Sequence, residues 1–216
     1  DKIYKVVLSN GETLDCNILI IAIGVTPNVH LAKQAGLNVN RGIVVNEFLQ
    51  TSNDCVYAAG DCIESYDFFS NTKTIFALWT SASNQGEIAG LNMAINNNNN
   101  YNSSRLLCYD FAMNAISFFG MKLISAGMIC NKLKYNNVQN INIESEWNKL
   151  FKLSICNNNL VGFTMINSIR RAGIYTDLIK NKVPLSTLLY DITTKDIGLN
   201  VYPKIARMKL LYYKHH

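Results

Sequence analysis

Val56-Tyr57-Ala58-Ala59 is a short apolar run that stops on Gly60 and ends on the carboxylate of Asp61. Read as a strand, it finishes on a residue without a Cβ, and such an end lets backbone come close to a ligand. From Phe76 to Ala94, small or apolar residues recur at helical spacing, among them Ala82, Ile88, Ala89 and Met93. The spacing predicts a helix over 76–94 whose amino end turns a positive dipole toward that ligand. Strand, glycine, acid and helix together make a cofactor floor.

The flanking chain supplies a framework for it. Ile3 to Leu8 alternates as a strand, Asn10-Gly11 signals a type I′ hairpin, and Thr13 to Cys16 returns. Ile18 to Ile23 is a continuous apolar run, the pattern of a strand buried on both faces. His30 to Ala35 reads as a short helix stopped by Gly36, and a further strand runs from Gly42 to Val45, with Arg41 and Glu47 solvated at its margins. Residues 62–73 read as a polar, aromatic loop. Asn96 to Asn100 and the polar residues after it cannot pack, which places a linker at 99–105. Beyond it, an apolar element and strand over 115–128, alternation over 147–156, an Asn157-Asn158-Asn159 turn and a strand over 160–166 form a β-meander. Helices follow over 170–179, stopped before Pro184, and toward Tyr212.

These residues carry a resemblance. Thr-x-x-x-x-Val-Tyr-Ala-x-Gly-Asp, ending at Asp61, resembles the second FAD-binding motif of the pyridine nucleotide-disulfide oxidoreductase class. Ile18 to Asn28, with its Ala-x-Gly turn and Gly-x-x-Pro-Asn, resembles the crossover that precedes that motif. Gln85-Gly86 and Ala89-Gly90-Leu-Asn-Met-Ala94 resemble the run closing the FAD domain in NADH-rubredoxin reductases and nitrite reductase large subunits.

The resemblance implies an α/β fold: the end of an NAD-binding domain over 1–28, the carboxy-terminal part of an FAD-binding domain over 29–98, the linker, and a small α+β domain over 106–216. It implies FAD and NAD(P)H as cofactors of a full-length parent, with Gly24, Pro27, Gly60, Asp61, Trp79 and Thr80 facing the flavin. Asp61 takes a ribityl hydroxyl, Gly60 admits the pyrophosphate, and Trp79 and Thr80 open the helix that points at the ring. Electrons pass from NAD(P)H through the flavin to a small rubredoxin-like carrier or a nitrite reductase centre.

Such an enzyme needs two Gly-x-Gly-x-x-Gly phosphate turns, and none of the twelve glycines is spaced Gly-x-Gly. The expectation is therefore a carboxy-terminal fragment, inactive by itself and binding FAD weakly or not at all, whose partner is the missing amino-terminal FAD/NAD region. The six cysteines include no Cys-x-x-Cys, no metal set is apparent, and none of the three histidines has a motif around it, so no catalytic or metal-ligating residue is assigned.

Charge is uneven. Residues 1–98 carry five lysines and arginines against nine acids, and residues 99–216 fifteen against six. This asymmetry supports a second reading, a basic interaction or dimerisation module that docks an acidic electron-transfer protein, and its mark would be Lys132, Lys134, Lys149, Lys152, Arg170 and Arg171 on one face. No nucleic-acid motif accompanies the charge, and no apolar run of membrane-spanning length occurs, so neither partner is expected and a cytosolic location is.

Overall fold

The computed structural model describes residues 3–69, 72–97, 107–108, 111–128, 137–193 and 197–212. At its amino end Lys5–Val7 (β1) pairs antiparallel with Thr13–Asp15 (β2). The turn differs from the expected type I′. Gly11 donates to Leu8 O and takes φ +88°, while Asn10 keeps a negative φ. The turn thus runs over Ser9-Asn10 with Gly11 in a left-handed bulge position, and Asn10 Oδ1 accepts from the Glu12 amide at 2.9 Å. His30–Gln34 (α1) ends as its glycine predicts. Gly36, at φ +72°, donates to Lys33 O and Leu37 donates to Ala32 O, the two bonds of a left-handed C-terminal cap.

Ile43–Val44 (β3) lies parallel to Ile63–Tyr66 (β4), which pairs antiparallel with Lys73–Thr74 (β5). The expected loop over 62–73 is therefore largely a hairpin. Only one face of β4 is fully covered, Ile63 and Ser65 being buried, so its sequence alternates too weakly to announce a strand. Trp79–Asn97 (α2) begins three residues later than expected, with Phe76 buried in the approach to it. Its inner face carries buried Ser81, Gln85 and Asn92, and Asn92 Nδ2 donates to Phe48 O at 3.0 Å. Val45, Leu49, Ile63 and Ala89 form the core beneath it.

Two expected strands do not form. Ile18, Ile20, Ile21 and Ile23 are 72–92% exposed, and the run from 18 to 23 enters no ladder. Val56 to Ala59 is reduced to a single bridge between Tyr57 and Gln50. A strand needs neighbours to take up its amides and carbonyls: residues 49–51 flank 56–58 over that one bridge only, with Ala58 N donating to Leu49 O and Thr51 N to Val56 O, and among the described residues nothing pairs with 18–23.

The second half is one antiparallel sheet. Met113–Phe118 (β6), Met121–Gly127 (β7), Gln139–Glu146 (β8), Lys149–Cys156 (β9) and Asn159–Ile166 (β10) stand in the order β6-β7-β10-β9-β8. Asn157 and Asn158, at φ +48° and +64°, make the turn between β9 and β10. Ala172–Lys180 (α3) covers the sheet, burying Tyr175, Leu178 and Ile179 against Phe151, Leu153 and Phe163, and Lys204–Tyr212 (α4) follows. The two halves touch: Phe69 packs with Phe111 at 6.1 Å between ring centres, Lys182 Nζ sits 4.3 Å over the Phe68 ring, and Cys108 N donates to Glu47 O. The asparagine-rich stretch 99–105 lies outside the described residues.

Candidate functional site

Where the first half turns from Ala59 into β4, it opens a cleft of about 530 Å³. Val25, Thr26, Pro27 and Asn28 form one wall, Asp61 and Cys62 another, and Thr74, Ile75 and Ala77 a third, with Arg41 at the rim. Gly60 makes the corner at φ +87°. A Cβ there would lie 3.7 Å from Ala82 Cβ, ordinary contact, so it is the left-handed backbone and not space that requires glycine. Gly24 takes the same conformation, φ +86°, just before the Val25 wall.

The corner is held from behind. The Gly60 amide donates to Gln85 Oε1 at 2.8 Å, and Gln85 is completely buried on α2 and reaches Ser65 Oγ through Nε2. This fixes the corner from which the exposed Asp61 follows. Gln85 has no signal in the sequence beyond the family-like run, because the residue it supports lies 25 positions away.

The structure brings Pro27 and Asp61 into one cleft, with Gly24 and Gly60 flanking it at its two turns. Trp79 and Thr80 are not in its lining; Trp79 is 89% exposed at the start of α2 and Ala77 takes the lining position. The Asp61 carboxylate is exposed and forms no hydrogen bond or ion pair among the described residues, leaving an acceptor for a ligand hydroxyl. Cys62 is half-buried, with Sγ 3.5 Å from Ala59 O, and burial, with a smaller contribution from the Asp61 charge, pushes its thiol up from the ordinary range. It stays protonated at neutral pH and is no thiolate nucleophile. No group of three or more metal-ligating side chains occurs among the described residues.

Of the basic side chains expected on one face, Arg170 and Arg171 line a smaller cleft with Glu144, Phe151 and Tyr175, and Lys149 faces Glu144 and Glu146 at 3.9 and 3.8 Å. Lys152 falls between the inward-facing Phe151 and Leu153 and so projects from the opposite face of the sheet. Lys132 and Lys134 lie outside the described residues. No helix among the described residues is long and apolar enough to cross a membrane.

Residues 1–86 match the family model described as pyridine nucleotide-disulphide oxidoreductase. An NADH oxidase of Methanocaldococcus jannaschii is 43% identical over 91 residues, 42% of this chain and 20% of that protein. A rubredoxin-NAD(+) reductase of Acinetobacter baylyi is 49% identical over 61 residues, 28% of this chain and 16% of that protein. A crystal structure of an FAD-dependent pyridine nucleotide-disulphide oxidoreductase from Desulfovibrio vulgaris superimposes with a TM-score of 0.63 at 23% identity, covering 83% of this chain and 46% of that one. In each comparison the chain spans less than half of the protein it matches. The first 86 residues are thus of the pyridine nucleotide-disulphide oxidoreductase family, and the chain shares its mixed helix-and-sheet fold with part of those reductases.

Proposed function

We propose that this chain is the carboxy-terminal portion of an FAD-dependent NAD(P)H oxidoreductase and supplies one wall of its flavin site. The observation that carries this is the cleft between Pro27 and Asp61, with left-handed glycines at both turns and an unpartnered carboxylate on its wall. A bound flavin would accept hydride from the nicotinamide and release electrons singly to an acceptor. The residues present fit its polyol: Asp61 accepts from a hydroxyl, Gln85 holds the Gly60 turn that aims it, and the Val25 to Asn28 wall shields one side from water. No side chain here moves a proton in the reaction.

The fit is partial. The sequence has no Gly-x-Gly turn to cradle a pyrophosphate on a helix amino end, and each such charge-assisted bond contributes ~1.5–3 kcal/mol. The isolated chain therefore holds FAD weakly or not at all, and the amino-terminal FAD/NAD region is its necessary partner. A small acidic carrier of the rubredoxin type is the proposed electron acceptor, by analogy with the rubredoxin-NAD(+) reductase. A cytosolic location is proposed with it.

Intact mass and visible absorbance of the native gene product test the assignment. A yellow protein roughly twice this length, as the 46% coverage of the Desulfovibrio chain implies, is the expected result. A colourless product of 216 residues, unable to take up flavin, overturns it.

A further inference from the structure

Arg41 and Asp61 stand on the same cleft and, among the described residues, carry the formal charges of its lining. They do not pair with one another, and the Arg41 guanidinium has no hydrogen bond, ion pair or ring contact among the described residues. Two opposite charges left apart in one concavity suit a ligand with a hydroxyl-bearing end and an anionic end.

The backbone that presents Arg41 is clamped. Glu64 Oε1 accepts from the amides of both Arg41 and Gly42, at 2.8 and 2.9 Å, and Oε2 lies 3.4 Å from Asn40 Nδ2. Gly42 presses flat on β4: a Cβ there would fall 2.9 Å from Ile63 C and 3.0 Å from Cys62 O. Ile43 N then donates to Cys62 O at 2.8 Å. The turn over 40–42 is thus bound to the residues that immediately follow Asp61, and the backbone that carries the two charges is held in a fixed relation by its own bonds and by one carboxylate. A merely solvated arginine needs no such mounting.

We infer that Arg41 is an anion-binding residue of the flavin site, taking phosphate charge of the flavin nucleotide while Asp61 holds its polyol, and that Glu64 is the positioning residue for Arg41. This rests on the flavin assignment above. It adds a residue that recognises the nucleotide part of the cofactor, on a chain without a Gly-x-Gly phosphate turn.

The test uses the native gene product, stripped of flavin and retitrated with FAD, FMN and riboflavin by fluorescence. Arg41→Gln weakens FAD and FMN by about tenfold, in line with one partly exposed charge-assisted bond, and leaves riboflavin within twofold. Arg41→Lys recovers part of the loss, and the FAD preference of the parent falls with salt. Glu64→Ala shows the same selective loss, whereas Glu64→Gln, whose amide oxygen still accepts both amides, restores it. If Arg41→Gln leaves FAD affinity unchanged while Asp61→Ala weakens all three ligands, the role of Arg41 is refuted and the flavin site stands. Equal weakening of riboflavin and FAD by Arg41→Gln also refutes it, since that is a general loss of structure. A product that binds none of the three overturns both.

Discussion

Gly127 and Gly162 face each other across the β7–β10 ladder, and each has backbone where a side chain would begin. A Cβ on Gly162 would lie 2.2 Å from Met128 O and 2.7 Å from Met128 C, and one on Gly127 would lie 2.2 Å from Val161 O. These atoms belong to the neighbouring strand and cannot rotate away, so Gly162→Ala must push the strands apart by about 1 Å to reach normal contact. Met128 N–H···O=C Val161 and Gly127 N–H···O=C Ala112, both 2.8 Å, lie in the part that moves. Two lost buried bonds at ~1–2 kcal/mol each, with the strain added, give a destabilisation of about 3–5 kcal/mol. For a chain of this size that lowers the melting midpoint by roughly 10–15 °C. Gly127→Ala carries the same clash and a left-handed φ of +72°, which costs a further ~1 kcal/mol. Because one displacement relieves both clashes, the double variant loses less than the two single losses together. Urea and thermal unfolding followed by circular dichroism measure all three. A Gly162→Ala protein that melts within 2 °C of the parent, or strict additivity of the pair, would refute the packing argument.

Tyr175 donates its hydroxyl to Ile192 O at 3.1 Å, and burial pushes the phenol up to about 12. Because the folded-state value is raised, its contribution is fully present below pH 10 and is lost as pH rises toward 12; we expect about 1–2 kcal/mol, discounted for screening, to disappear in that window and to be absent from Tyr175→Phe in alkaline unfolding curves. Tyr202, donating to Asp177 Oδ2 at 2.6 Å, is pushed up mainly by burial and then by that bond and charge, so Tyr202→Phe should remove part of the remaining alkaline loss. Asn167 ties two hairpin ends together, accepting from the Lys122 amide at 2.9 Å and donating to Asn148 O at 2.8 Å. Asn167→Ala should cost about 1–2 kcal/mol and speed hydrogen exchange at Lys122, and unchanged exchange there would show that the clip carries no load.

The parts of the fold legible in the sequence are those set by local rules. Gly36 stops α1 because a left-handed residue is needed there, Asn157-Asn158 turns β9 into β10 because asparagine tolerates positive φ, and α3 ends ahead of Pro184. The edge strand β8 carries only Ile141 and Ile143 in alternation with Asn140, Asn142 and Glu144, a pattern too short within an asparagine-rich stretch to announce a strand. β4, though central in its sheet, places only Ile63 and Ser65 on its covered face and so shows no apolar alternation either. In the cleft, Gly60 and Asp61 stood out by motif, whereas Gln85 and Glu64 act through side-chain bonds to backbone amides 22–25 positions distant, a relation that no periodicity encodes.

The exposed run from Ile18 to Ile23 shows the opposite discrepancy. Its composition is that of a strand flanked on both edges and covered on both faces, yet Ile20 and Ile23 are 82% and 92% exposed. Leaving four such isoleucines in water forgoes roughly 1.5–3 kcal/mol apiece relative to burial, which no gain within the described residues offsets. On the proposed reading, the apolar run and the open walls of the Pro27–Asp61 cleft both face the rest of the oxidoreductase. Both features lie on the same stretch, since Gly24 leads the run directly into the Val25 wall. A segment that buries Ile18 to Ile23 would therefore also close over the cleft. On the proposed reading, completion of the sheet and of the flavin site would be one assembly step, and the weak cofactor affinity proposed for the isolated chain would follow from the same exposed isoleucines.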